Sequence, residues 1–276
     1  MPGLKVRHLS CGTFCPVGRR LGIAPGRLVC HCLLVEAPGG LVLVDTGIGL
    51  QDVANPGRLG IGRTLARPVL DPAATAVRRV QALGYQASDV RDIVLTHLDF
   101  DHAGGLADFP GARVHVFSAE YVAAMAPATL VERLRYRKIL WAHSPRWALH
   151  NQKGPKWYGF EAVRDLGGLP PEIVMVPLAG HTWGHCGVGV EAERPAGEPG
   201  WLLHAGDAYF HRTQVHAEKP RVPPGLAAFE RMLQVDGELR FHNLARLRRL
   251  AGSHGGVIRV FSSHDAEEFA QLSVSS

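Results

Sequence analysis

A chain of 276 residues, 46% of them hydrophobic, can bury a large core and is long enough for one large domain or two small ones. The formal charge of +5 is spread along the chain without a nucleic-acid motif, no apolar run reaches membrane-spanning length, and "MPGLKVRHLSCGTFCPVG" lacks the apolar stretch and cleavage site of a signal peptide. These features exclude a nucleic-acid or membrane partner as the expectation, and with five unevenly placed cysteines they exclude a disulfide framework and point to the cytoplasm.

In chain order, "RLVCHCLLVEAP" and "LVLVDTG" are strands joined as a hairpin through Pro38, Gly39 and Gly40. Alternation puts Cys30 and Cys32 on one face of the first strand and His31 on the other. With Cys11 and Cys15 these residues could be read as a thiolate metal site, but free cysteines are common in cores and that reading is preferred. An irregular Gly- and Pro-rich stretch, 48–70, precedes a helix with Asp71 as N-cap, Pro72 as its first residue and Gly84 as its stop. "DIVLT" and "ARVHVF" are short strands. Residues 118–139 read as helix, and 140–160 as a Trp-rich insert whose Trp141, Trp147, Trp157, Tyr158 and Phe160 either wall a substrate pocket or pack an insertion. The basic residues of "VERLRYRK" and "LARLRRL" are assigned to solvated helix faces. Strands follow at "EIVMVPL", "GVGVEA", "WLLHAG" and "VIRVF", with a helix over 238–250 bearing Leu239, Leu244, Leu247 and Leu250. Strands with interposed helices suit a layered α/β architecture.

The residues that carry chemistry come directly after apolar runs. In "THLDFDHAGG", His97, Asp99, Asp101 and His102 follow "DIVLT"; His181 lies in "LAGHTWGH", Asp207 in "LLHAGDAYF" and His264 in "RVFSSHD". Turns after strands let a rigid scaffold aim polar groups at a shared cleft. Histidine and aspartate supply the nitrogen and oxygen donors that zinc, iron and manganese accept. One such residue means little; four clusters in series point to a metal centre.

From about residue 27 to 264, "LVLVDTG", "THLDFDHAGG", "GHTWGH", "HAGDAYF" and "SSHD" resemble the ordered motifs of the metallo-β-lactamase superfamily, and within it the N-acyl-homoserine lactonase-like hydrolases. The resemblance implies one αββα sandwich domain over 1–276 with two divalent metal ions, zinc in the first place, at one edge of the sheets. His97 and His181 would bind the first metal, Asp101, His102 and His264 the second, and Asp207 both. Asp45 and His185 would support these ligands from behind. His254, on a Gly-flanked segment, is a weaker rival to His264.

Two residues depart from the family pattern. Asp99 stands where histidine is usual, a short carboxylate arm that would reach the first metal only if its loop came close. It brings iron or manganese in as alternatives to zinc. Tyr209 sits one position early for the tyrosine that such lactonases place beside the substrate carbonyl, and a one-residue shift in extended chain turns a side chain to the other face.

The activity implied is hydrolysis of a lactone or ester of a small molecule by a metal-bridged hydroxide, with Asp101 able to shuttle a proton. The rival readings are a thioester hydrolase of the glyoxalase II type and a di-iron redox protein of the flavodiiron type. The latter would need a separate redox partner, because no flavodoxin-like stretch follows the His264 motif. A nuclease lacks an inserted clamp, and a non-catalytic binding protein is disfavoured by the number of ligand positions filled.

Overall fold

The computed structural model describes residues 3–193 and 199–274; the rest of the expected 1–276 domain lies outside the described residues. Strands β1 (Lys5–Phe14), β2 (Leu28–Ala37), β3 (Gly40–Val44), β4 (Pro68–Val69), β5 (Val90–Val94), β6 (Arg113–Phe117) and β7 (Arg146–His150) form one sheet in the order β4-β1-β2-β3-β5-β6-β7. After a small hairpin, β8 (Lys156–Trp157) with β9 (Phe160–Glu161), come β10 (Ile173–Pro177), β11 (Cys186–Glu193), β12 (Pro199–His204) and β13 (Ile258–Phe261), a second sheet in that order.

The side-chain alternation of β2 shows how the layers arise. Leu33 and Val35 point inward with Val42, Val44, Val94, Met175, Val188 and Phe261 to form the core between the sheets. Cys32 and Leu34 point the other way, packing with Leu43, Ile93 and Val114 beneath Ala76, Val77 and Val80 of the helix Ala76–Ala82. Across the second sheet, Val174, Val176, Leu203 and Val260 meet Leu244, Leu247 and Leu250 of the helix Gly237–His254. Each sheet thus has one face on its partner and one on helices, the αββα arrangement. All five cysteines are free, and four of them are buried.

Several local expectations need correction. Asp71 caps only a short 3-10 turn, Pro72–Ala74; Thr75 then turns extended and its hydroxyl donates back to the Pro72 carbonyl at 2.8 Å, so the α-helix starts at Ala76. The helix expected over 118–139 is broken into Ser118–Met125 and Leu130–Arg135, because Pro127 interrupts it and Thr129 caps the second piece. Leu239 lies on the exposed side of its helix. The Trp-rich segment is not a pocket wall. Its β7 extends the first sheet, Trp147 meets Tyr121, and Trp157 and Phe160 pack on the outer side of the second sheet.

Candidate metal centre

Strand direction brings the motifs together. β3 and β5 run parallel, as do β12 and β13, and β10 runs the same way as β12 because β11 is antiparallel to both. Asp45 follows β3, His97 follows β5, His181 follows β10, Asp207 follows β12 and His264 follows β13. Three donor groups result: His97, Asp99 and His181; His97, His102 and Asp207; Asp101, His102 and His264. The rings of His102 and His264 are 5.5 Å apart, and those of His97 and His102 are 4.0 Å apart.

The spacing fits metal ligation. Donors bonded at about 2.0–2.1 Å around a tetrahedral ion lie about 3.4 Å from one another. His181 Nε2 is 3.1 Å and His97 Nε2 3.4 Å from Asp99 Oδ2. Asp207 Oδ1 is 3.3 Å from His102 Nε2 and 3.1 Å from His264 Nε2, while its Oδ2 is 3.5 Å from His181 Nε2. Asp101 Oδ2 is 3.5 Å from His264 Nε2. Although buried, His97 Nε2, His102 Nε2 and Asp207 Oδ1 make no hydrogen bond. Buried polar atoms are rarely left so, and a cation would satisfy all three.

The supporting groups leave the Nε2 atoms of two histidines free to face the cleft. His102 Nδ1 is 2.7 Å from Asp45 Oδ2, and Asp45 also accepts from the Thr96 N–H and hydroxyl, both at 2.8 Å. Asp45 holds this position with a left-handed φ of 56°. His264 Nδ1 donates to the Val29 carbonyl at 2.7 Å. His185 donates through Nδ1 to the Leu178 carbonyl at 2.9 Å and accepts the Asp207 N–H at Nε2 at 2.8 Å, so it positions the Asp207 backbone. Gly206 allows this approach, since a Cβ there would sit 2.5 Å from His185 Nε2. His254 is the last residue of the helix Gly237–His254, beside Ser253 and Tyr158 and away from the cluster.

The electrostatics divide along the same lines. Burial drives His97 down to about 4, with His102 beside it adding to the effect, so this imidazole is neutral near pH 7. Burial also opposes charge on His102, but Asp207, Asp45 and Asp101 overcome it and hold this ring well above its usual range. Burial would raise Asp99, yet Arg135 and His97 keep it well below the ordinary carboxylate range. Asp101 is pushed up, by burial first, with His102 and His264 pulling the other way.

Arg135 was not legible as a site residue. Assigned to the solvated side of "VERLRYRK", it instead points inward at 4% side-chain exposure, with its Nε 3.3 Å from Asp99 Oδ1. Its other nitrogens donate to the carbonyls of His181, at 2.8 Å, and Leu233. Tyr209 is also corrected. Its side chain is fully buried in the outer core of the second sheet and its hydroxyl donates to Glu268 at 2.9 Å, so it cannot meet a substrate carbonyl. The one-residue shift has turned it to the other face.

A cavity of about 240 Å³ opens over the cluster. Asp99, Asp101, Arg135, Asp207 and His264 form its polar floor, and its walls are apolar side chains such as Phe14, Phe100, Leu134, Phe210, Phe229 and Met232.

The family model described as the metallo-beta-lactamase superfamily matches residues 25–241. The chain belongs to that superfamily. It is 44% identical to a probable metallo-hydrolase of Mycobacterium tuberculosis over 96% of this chain and 82% of that protein. It is 28% identical to the N-acyl homoserine lactonase AttM of Rhizobium radiobacter over 87% of this chain and 82% of the relative. Among solved structures, a Bacillus thuringiensis AiiA variant with N-decanoyl-L-homoserine at its active site superposes with a TM-score of 0.70 at 21% identity, covering 98% and 97% of the two chains. Family and relatives together make this chain a metal-dependent hydrolase.

Proposed function

We propose that this hydrolase opens a lactone or ester bond of a small, largely apolar molecule, using two divalent metal ions. His97, Asp99 and His181 would hold the first ion, Asp101, His102 and His264 the second, with Asp207 shared. The observation that carries this reading is the set of three overlapping donor groups, with buried Nε2 and carboxylate atoms that lack hydrogen bonds. Ions bound there would act as Lewis acids for the substrate carbonyl and supply hydroxide at neutral pH. Zinc is the metal of choice for a histidine-rich set, and the hard oxygen of Asp99 makes iron or manganese the alternative.

The remaining roles fall to the chain itself. Asp45 and the Val29 carbonyl fix the tautomers of His102 and His264, as outer partners of ligands commonly do. Asp101 lines the cavity with its Oδ2 3.5 Å from His264 Nε2, a position from which a carboxylate could pass a proton to the leaving oxygen. The apolar walls would hold the substrate's hydrocarbon part, and the N-decanoyl-L-homoserine bound at the active site of the AiiA variant carries such a chain. Arg135 offsets the charge that Asp99 adds, so the donor set keeps the balance of an all-histidine first group.

The test is a panel of lactones, esters and thioesters of increasing chain length, assayed on zinc-, iron- and manganese-loaded protein. The reading expects lactones or oxygen esters to turn over fastest, with preference rising with apolar chain length. A thioester turned over fastest would transfer the assignment to the glyoxalase II type, and no turnover with any metal would reject it.

A further inference from the structure

Four segments frame the cavity mouth: the loop 15–27 between β1 and β2, the segment 57–67 with its short helix Gly62–Ala66, the helix Leu130–Arg135 with the turn after it, and the helix Pro224–Leu233. The loop belongs to the mouth because Phe14 and Leu28 at its two ends line the cavity, and because the Gly225 N–H donates to the Ile23 carbonyl at 2.8 Å. Every one of these segments turns large apolar side chains to solvent. Ile61, Leu65, Val131, Leu134 and Met232 line the cavity yet stay 40–55% exposed, and Leu21 on the loop is 77% exposed. Single exposed apolar residues need no explanation, but a set converging on one rim does.

The loop 15–27 and the segment 57–67 also carry exposed arginines: Arg19, Arg20, Arg63 and Arg67. None of the four forms an ion pair among the described residues. The four framing segments hold two carboxylates, and both are turned inward. Glu132 accepts from Trp183 Nε1 at 2.9 Å, and Glu230 accepts from the Phe210 N–H at 3.1 Å. The rim is therefore apolar and cationic, with no exposed acid.

We infer that this rim docks the protein reversibly on an anionic lipid surface, with the cavity mouth facing the lipid. Apolar side chains would enter the headgroup layer while arginines between them meet lipid phosphates, the combination that holds peripheral proteins on membranes. A second copy of the chain is the competing occupant. A two-fold pairing of this face would set the arginines of one rim against those of the other, with no acids to relieve them. This inference revises the expectation of no membrane partner. No helix among the described residues is long and apolar enough to cross a bilayer, so the contact is with the surface.

The experiment is sedimentation of the metal-loaded full chain with vesicles, without substrate, so that vesicle binding and lactone hydrolysis can fail independently. Binding to phosphatidylglycerol–phosphatidylcholine vesicles should exceed binding to pure phosphatidylcholine by about tenfold or more, and should weaken as salt shortens the screening length. The double charge reversal Arg19→Glu with Arg20→Glu, and separately Leu21→Ser, should each weaken binding severalfold while metal content and thermal midpoint stay at the wild-type value. Equal binding to neutral and anionic vesicles, no binding to either, or wild-type binding by the charge-reversed protein would overturn the inference. So would a dimer in sedimentation velocity that Leu21→Ser dissolves.

Discussion

Arg135 Nε lies 3.3 Å from Asp99 Oδ1, inside the donor cluster and shielded from solvent. The same guanidinium holds the carbonyl of His181 and that of Leu233, so one side chain ties two members of the first donor group to the end of a cavity-wall helix. Charge counting without Arg135 makes Asp99 an extra negative charge at the metal centre; with Arg135 the pair is neutral.

Arg135→Leu should therefore strand a buried carboxylate and two carbonyls, costing about 3–5 kcal/mol. It should also loosen metal at the first group, read by thermal unfolding and metal analysis. Asp99→His alone should fare no better, since it leaves Arg135 a buried cation without its partner. The double change Asp99→His with Arg135→Leu should recover part of both losses. Strictly additive losses in that double-mutant cycle would show that the two residues act independently.

Tyr209→Phe should leave turnover of every substrate unchanged and cost about 1 kcal/mol of stability, the worth of one buried hydrogen bond. Glu268 keeps the Ser262 N–H and His216 as partners, which limits the loss. A drop in turnover with stability intact would return Tyr209 to the active site.

Stability should fall on mild acidification because of histidines between the sheets. Burial, and then His204, bring His8 down to about 4; burial with His8 and His204 holds His31 well below its usual range. Folded values below the unfolded one mean that the unfolded chain takes up protons that the folded chain refuses. The loss therefore begins as pH drops below about 6.5 and continues to about 4. His8→Phe, whose ring can keep the edge contact with Phe261 but cannot titrate, should flatten that fall. An unchanged pH profile of the thermal midpoint, measured on metal-loaded protein, would contradict it.

Phe229→Ala should open the apolar wall and raise KM for long-chain substrates by about tenfold, with a smaller effect on short ones, because the lost contact is with the hydrocarbon part. A uniform loss of kcat across chain lengths would place Phe229 at the reacting atoms instead.

The donor residues were legible because each follows a short apolar strand, and strand direction then delivers them to one edge. Tyr209 was harder to place, since a single residue of register decides its face. Arg135 was not legible at all: "VERLRYRK" reads the same whether its second arginine points to water or into the site, and only the tertiary placement of Asp99 and of the His181 and Leu233 carbonyls decides. The cavity walls escaped notice for a related reason. They come from the segment 57–67 with its short helix Gly62–Ala66, the helix Leu130–Arg135, the helix Pro224–Leu233 and the separate Phe14, Phe100 and Phe210, and none of these carries a pattern that announces a pocket. The tryptophans drew attention to 140–160 by composition, whereas their rings serve the core. β1 went unread because its register slips between Ser10 and Thr13 and blurs the alternation.

The proposed dinuclear centre stands or falls on Asp207, the carboxylate its two ions would share. The most direct measurement is metal content per chain together with lactone or ester turnover, on wild type and Asp207→Ala in parallel. The account predicts about two ions per wild-type chain, and in the variant a loss of metal with turnover down by orders of magnitude. Full metal content and undiminished turnover in Asp207→Ala would contradict it.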